Sequence, residues 1–250
     1  MEDQTGAESL FFELASQNRM GILKELQSKP QRMQELARKL DLTDTEAFRQ
    51  LHRLTEASLI QKQSDGAYTI SQYGKLVLQL SRPLEFAYRN RQCFLTRDVW
   101  RLPVEFIDRL GELSEAKLSM DMVDMLNISE QGVFEAEEYI WAMGSTPLGP
   151  VSSKVKERVS KGVKLRLLIP ESLRESYKDI RIVPDTIEKR TLPTVPINMV
   201  CTEKAAGVSL LSIDGRPDAA LFFGRGEVFQ KWAKDLFLYY WNQGKLIYDR

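Results

Sequence analysis

The sequence predicts two domains of different class, a small α+β unit at the start of the chain and a layered α/β unit at its end, joined by helices. Three observations carry that expectation. Between Lys29 and Tyr73, two stretches with apolar residues at helical spacing lead directly into two strand-like runs around Ser64-Asp65-Gly66. From Glu135 onward, short β-rich runs alternate with amphipathic helical ones, as in a layered α/β domain. The 250 residues, 43% apolar and 28% charged, suffice for two modest cores.

The elements follow in order. Ala7–Ser16, with Leu10, Phe11 and Leu14 apolar, and Asn18–Gln27, with Ile22, Leu23 and Leu26, read as two supporting helices ended by Lys29-Pro30. Met33, Leu36, Ala37 and Leu40 make Arg32–Leu40 a short amphipathic helix. Asp41-Leu42-Thr43 breaks it, and Thr43 with Glu46 three residues on forms a capping box for a second helix reaching about Ala57. Ala47, Leu51 and Leu54 share one face of that helix. Leu59–Gln63 and Ala67–Ile70 then flank an Asp-Gly pair, a strong hairpin signal. Helix, tight turn, helix and hairpin is the order of a winged helix-turn-helix, which docks its second helix into a DNA groove.

The expected DNA-facing set is therefore Thr43, Thr45, Phe48, Arg49, Gln50 and Arg53, with Lys62 on the hairpin. Arg49 and Arg53 suit guanine edges, Phe48 a thymine methyl, and Lys62 a phosphate. Charge is the counter-argument. Residues 1–80 hold ten Lys/Arg against eleven Asp/Glu, a net of −1, and the whole chain is neutral. A winged helix used for protein contacts is thus an alternative. Phosphate contacts need local rather than global positive charge, and Arg82, Arg89, Arg91 and Arg97 oppose only Glu85 downstream. A dimer would compensate for modest affinity per monomer.

Domain limits are expected at 1–80 for the winged helix, 81–125 for a helical connector and 126–250 for the α/β domain. A helical stretch that begins with Leu76, Val77, Leu78 and Leu80 leads into the connector, which is punctuated by Pro83 and Pro103 and resumes helical periodicity at Val104–Leu110. Its apolar face serves either a homodimer or packing on the next domain. In that domain the expected strands are Tyr139–Met143, Val163–Ile169, Ile180–Val183, Ile197–Cys201, Val208–Ile213 and Ala219–Phe223, the last two a hairpin around Asp214-Gly215-Arg216. Val151–Lys161 and Glu227–Gln243 read as helices. The aromatics Phe229, Trp232, Phe237, Tyr239, Tyr240 and Trp241 read as a core-facing stripe rather than a base-stacking platform.

The segment Ala47-Phe48-Arg49-Gln50-Leu51-His52-Arg53-Leu54-Thr55-Glu56-Ala57-Ser58-Leu59-Ile60 resembles the recognition-helix signature of ArsR-like winged-helix regulators. Two residues depart from it: Phe48 stands where a serine is usual, and Ser58 where a glycine normally ends the helix in a left-handed conformation. Over its full length the chain is similar to archaeal winged-helix regulators of the methanogenesis and filament-formation regulator family. That resemblance implies a transcriptional regulator whose C-terminal domain is a degenerate half of a phospholipase D-like fold. Such enzymes use His-x-Lys-x4-Asp. Counting back from Asp214 puts Gly207 and Ser209 at the His and Lys positions, and the chain's one histidine, His52, lies in the recognition segment. Imidazole-based phosphoryl transfer is excluded by inventory. A nuclease or phosphodiesterase with a DNA-targeting module is the alternative that this inventory disfavours, and no enzyme activity is expected.

Cys93 and Cys201 are isolated, so neither a zinc knuckle nor a disulfide framework is suggested, and neither a metal nor a cofactor is expected. The two glycine-bearing turns, Gly144-Ser145-Thr146 and Gly224-Arg225-Gly226, each follow a strand and precede a helix. If both lie at carboxyl ends of neighbouring strands, they share a crevice for a small-molecule effector. The expected lining is Trp141, Ser145, Thr146, Asp214 and Arg225. No apolar run approaches the roughly 20 residues that span a bilayer, and the acidic Met1-Glu2-Asp3-Gln4 is unlike a signal peptide, so a cytoplasmic location away from membranes is expected.

Overall fold

The computed structural model describes residues 6–145, 151–177, 186–214 and 220–247. The chain divides into two units, Met1–Ser81 and Arg82–Arg250. The first contains α1 (Ala7–Leu14), α2 (Gln17–Ser28), α3 (Met33–Lys39), α4 (Asp44–Glu56), β1 (Ile60–Lys62), β2 (Tyr68–Ile70) and the start of α5 (Gln72–Arg89).

Local chemistry sets these boundaries. Asp41 takes a left-handed φ of 53° between α3 and α4. Thr43 then caps α4: its side-chain oxygen accepts from the Glu46 N–H at 3.3 Å, and the Glu46 carboxylate accepts from the Thr43 N–H at 3.0 Å. Past the far end of α4, Ser58 sits at φ 59°, so the residue in the usual glycine place does adopt the left-handed geometry. β1 and β2 pair antiparallel, with Ile60 opposite Ile70 and Lys62 opposite Tyr68. Gln31 bridges to Tyr68 through reciprocal backbone bonds of 3.0 and 2.8 Å, extending the small sheet. Ile22, Leu23, Leu26, Leu36, Leu51, Leu54, Leu59, Ile60, Ile70, Val77 and Leu78 form the core beneath.

The second unit continues with α6 (Arg91–Phe94), α7 (Val104–Ile107), β3 (Lys117–Ser119), α8 (Met122–Phe134), β4 (Tyr139–Met143), α9 (Val151–Ser160), β5 (Lys164–Pro170), β6 (Ile187–Leu192), β7 (Ile197–Thr202), β8 (Ala206–Leu210), β9 (Leu221–Gly224), α10 (Glu227–Trp241) and β10 (Lys245–Leu246). Among the described residues, eight strands form one sheet in the order β10-β6-β5-β4-β7-β8-β9-β3. β4, β5 and β6 run parallel, while every other pairing is antiparallel. Alternation along the strands supplies both faces. Ile140, Ala142, Leu165, Leu167 and Ile169 pack with Val133 of α8 and Val155 of α9. Met143, Leu168, Met199, Cys201 and Val208 pack with Phe229, Trp232, Leu236, Phe237 and Trp241 of α10.

The segment 81–125, expected as a separate connector, is instead integral to this unit. Phe86, Cys93, Leu102, Phe106, Leu110 and Leu113 belong to the α10 core, and β3 is an edge strand of the sheet. Short helical turns on either side of Pro103 bury from none to three residues each, a pattern that sequence periodicity reads as a loose linker. α8 and the strands β3, β6 and β10 were not expected. The aromatic stripe of α10 faces the core as expected, except that Tyr239 is exposed. The expected strand Ile180–Val183 and the turn residues Gly215 and Arg216 lie outside the described residues.

Candidate nucleic-acid interface

α4 has two faces of opposite character. Ala47, Gln50, Leu51 and Leu54 are buried, whereas Thr45, Phe48, Arg49 and His52 are exposed. Phe48 leaves 58% of its surface in solvent, and its ring lies 6.2 Å from the His52 ring. His52 Nδ1 is 3.2 Å from the Glu56 carboxylate one turn on. Arg49 makes no ion pair among the described residues, so its guanidinium donors are available. An exposed phenylalanine between an arginine and a histidine on one helical face has no role in this unit's own core.

Three of the expected contact residues are placed differently. Gln50 is 6% exposed, and its Oε1 accepts from Arg19 Nη1 at 2.9 Å, so it faces inward. The expectation that it reads a base fails because its helical position falls on the Ala47–Leu54 side. Arg53 is gripped by the Glu13 carboxylate of α1, with Nε–Oε2 at 3.3 Å, and lies 4.9 Å over the Phe12 ring. Glu13 also holds Arg19 at 2.8 Å. Arg53 therefore ties α4 to α1 instead of standing free for a guanine. Thr43 is exposed, but its hydroxyl and N–H are both engaged with Glu46. Those bonds, with the nearby Arg49 charge, hold the Glu46 carboxyl below the usual range.

Lys62 is exposed on β1 with its Nζ 5.7 Å from the Tyr68 ring. At the hairpin tip Gly66 adopts φ 85°, and Asp65 Oδ1 accepts from the Ala67 N–H at 3.0 Å, which folds this acid back on the turn. Arg32, not singled out from sequence, reaches the Asp65 carbonyl at 3.4 Å and adds an exposed cation beside the tip. Its proximity arises from the Gln31–Tyr68 bridge, a long-range pairing with no sequence signature. His52 was also unassigned, although its i+4 spacing from Phe48 places it on the exposed face.

The expected effector crevice does not assemble. β4 and β8 both run antiparallel to β7, so Ser145 after β4 and Asp214 after β8 lie at the same end of the sheet. β9 runs antiparallel to β8, with Gly224 opposite Ala206, so Arg225 lies at the other end. There it pairs with Glu135 at 2.7 Å, which holds that carboxyl below its usual range. Asn198 Oδ1 accepts from the Ser145 N–H at 2.7 Å, and Asp214 accepts from the Ser212 hydroxyl at 2.6 Å. Trp141 packs between Tyr139 and Phe237 on the sheet face. Thr146 lies outside the described residues. The premise of neighbouring carboxyl ends fails because the hairpin reverses β9.

Among the described residues no His/Cys/Asp/Glu group could hold a metal ion, and no helix is long and apolar enough to cross a membrane. Residues 7–89, about a third of the chain, match the family model described as the HVO_A0261 N-terminal domain. No curated protein matches. Among solved structures, the chain is similar to TrmBL2, an archaeal chromatin protein, at 13% identity over 90% of this chain and 92% of that one, with a TM-score of 0.47. It is similar to NucT from Helicobacter pylori at 13% identity, covering 53% and 98%, with a TM-score of 0.44. An O-methyltransferase family protein from Burkholderia thailandensis follows at 15% identity, covering 74% and 60%, with a TM-score of 0.26. At these scores none of the three bears on function.

Proposed function

We propose that this chain is a DNA-binding transcriptional regulator that reads double-stranded DNA with the outer face of α4 and steadies itself with the β1–β2 hairpin. The observation that carries this reading is the two-faced character of α4. Its inward residues satisfy the core, leaving Thr45, Phe48, Arg49 and His52 projecting outside that core. Arg49 supplies a bidentate donor for a guanine edge, Phe48 an apolar contact for a thymine methyl, and Lys62 and Arg32 neutralise phosphate. The neutral net charge is consistent with few phosphate contacts per chain.

Two copies would double those contacts. Tyr73, Leu76 and Leu80, spaced three or four residues apart on the part of α5 that belongs to the first unit, are all exposed. We propose this stripe as the homodimer seam, since large apolar side chains at that spacing favour burial against a like helix. The second unit we read as non-catalytic: a phospholipase D-like site, if this sheet descends from one, has Gly207 and Ser209 at the His and Lys positions. A cytoplasmic location fits this reading. The test is genome-wide mapping of bound sites in the source organism. A set of discrete promoter-proximal peaks bears out the regulator; uniform coverage or none favours the protein-interaction alternative.

A further inference from the structure

Four aromatic rings form a ladder across β4 and α10. Tyr139 lies 4.8 Å from Trp141, Trp141 5.3 Å from Phe237, and Phe237 5.5 Å from Trp241. Three cations rest on it. Lys234 Nζ is 4.9 Å from the Tyr139 ring and 5.2 Å from the Trp141 ring. Arg166 Cζ is 5.1 Å from Trp141 and 5.5 Å from Trp241, and Arg190 Cζ is 4.6 Å from Trp241. Strand register produces the convergence. Trp141 stands opposite Arg166 between β4 and β5, Arg166 opposite Glu188 between β5 and β6, and Arg190 follows Glu188 by two residues. A period of two puts all of these on one face of the sheet.

The charges on this strip are poorly balanced. Glu188 answers Arg166 across 3.4 Å, a long contact. Arg190 donates from Nη1 to the Trp241 carbonyl at 3.0 Å, while its Nε is buried without a hydrogen bond. Lys234 makes no ion pair among the described residues. Glu203, which lies near Tyr139, accepts backbone N–H bonds from Glu137 and Tyr139. Arg166, Arg190, Lys234 and Trp141 are all half-buried, so the strip remains open to solvent on one side. Holding cations partly away from water is costly, and the rings return only part of that cost. A bound anion would return more.

We propose that this strip is a binding site for a small ligand carrying more than one phosphate group. Guanidinium forks match phosphate oxygens in pairs, and three cations spread along the ladder favour several negative groups over one. The rings already carry cations, so recognition runs through charge and not through stacking of a ligand base. This site keeps Trp141 from the expected effector set and dispenses with Ser145, Asp214 and Arg225. It does not depend on the DNA-binding reading.

The test is calorimetric titration of the full chain with inorganic pyrophosphate at constant ionic strength, alongside thermal melts. The wild type shows saturable binding at one site per chain and a raised melting temperature. Arg190→Gln and Lys234→Gln each weaken binding about tenfold or more, the loss expected for a charge-assisted contact. Arg166→Lys, which keeps the charge but loses the fork, weakens it less than Arg190→Gln does. If removing Arg190 unfolds the second unit, the more lightly anchored Lys234→Gln carries the test alone. Arg49→Ala serves as the control and binds pyrophosphate like the wild type. Absence of saturable binding, tighter binding of citrate than of pyrophosphate, or unchanged binding in Lys234→Gln overturns the proposal. So does a loss confined to Arg49→Ala.

Discussion

Arg49 and Gln50 are neighbours in sequence and opposites in the fold, and the difference between them is measurable. Arg49→Ala removes an exposed side chain with no ion pair among the described residues, so the melting temperature should stay within a degree or so of wild type, as for most surface changes. Gln50→Ala leaves Arg19 Nη1 without its acceptor in the core, a loss of about 1–3 kcal/mol. A calorimetric melt of both variants checks the contrast; equal destabilisation would mean that α4 is rotated from this placement. The same distinction limits what the sequence reveals. Spacing alone identifies which residues share a helix, and it correctly separates Ala47, Leu51 and Leu54 as inward. It does not report that Gln50 completes that face or that Glu13, forty residues away, occupies Arg53. Polar side chains recruited by distant partners have no periodic signature.

At the scale of elements, capping and hairpin chemistry were the most legible features. Thr43 with Glu46, Ser58 in its left-handed conformation and the Asp-Gly turn each depend on contacts within a few residues. Thr43→Ala should therefore cost about 1 kcal/mol of first-unit stability, the usual worth of an N-cap. Gly74, at the start of α5, shows the opposite case. A Cβ there would stand 2.1 Å from the Leu59 carbonyl oxygen, so Gly74→Ala must displace the hairpin or α5 and lower the melting temperature. The hairpin makes its own prediction on DNA. Lys62→Ala should reduce affinity about equally for all sequences and lower the salt slope by about one unit. Equal slopes for variant and wild type would remove the hairpin from the interface. In the second unit, strands β4, β5 and β7 were readable from β-rich runs, whereas β3, β6 and β10 were not. Short strands such as Lys117–Ser119 gain their identity from the neighbour they pair with, which is a non-local fact.

For the molecule as a whole, acid stability draws on partly buried carboxylates, two of them in the second unit. Burial pushes Asp235 upward, but bonds from Arg109 at 2.8 Å and Lys231 at 3.3 Å outweigh it and hold the carboxyl below its ordinary value. Burial likewise opposes Glu203, and backbone N–H groups again win. Groups depressed in the folded state bind fewer protons there, so their stabilisation is complete above the ordinary carboxylate range and lost as pH falls below it. The melting temperature should thus hold down to about pH 5 and drop progressively below about pH 4. Asp235→Asn should flatten that drop. The proposed homodimer has its own test: Leu80→Glu should shift the chain to monomer in sedimentation equilibrium while preserving its circular dichroism, and an unshifted mass would remove α5 from the seam. The central claim is that the outer face of α4 reads DNA sequence. It is tested most directly by selecting bound duplexes from a random pool with the purified full chain, wild type beside Arg49→Ala. The wild type should enrich a recurring half-site containing a guanine whose selection Arg49→Ala abolishes. Enrichment of the same motif by both proteins, or of none by the wild type, would contradict it.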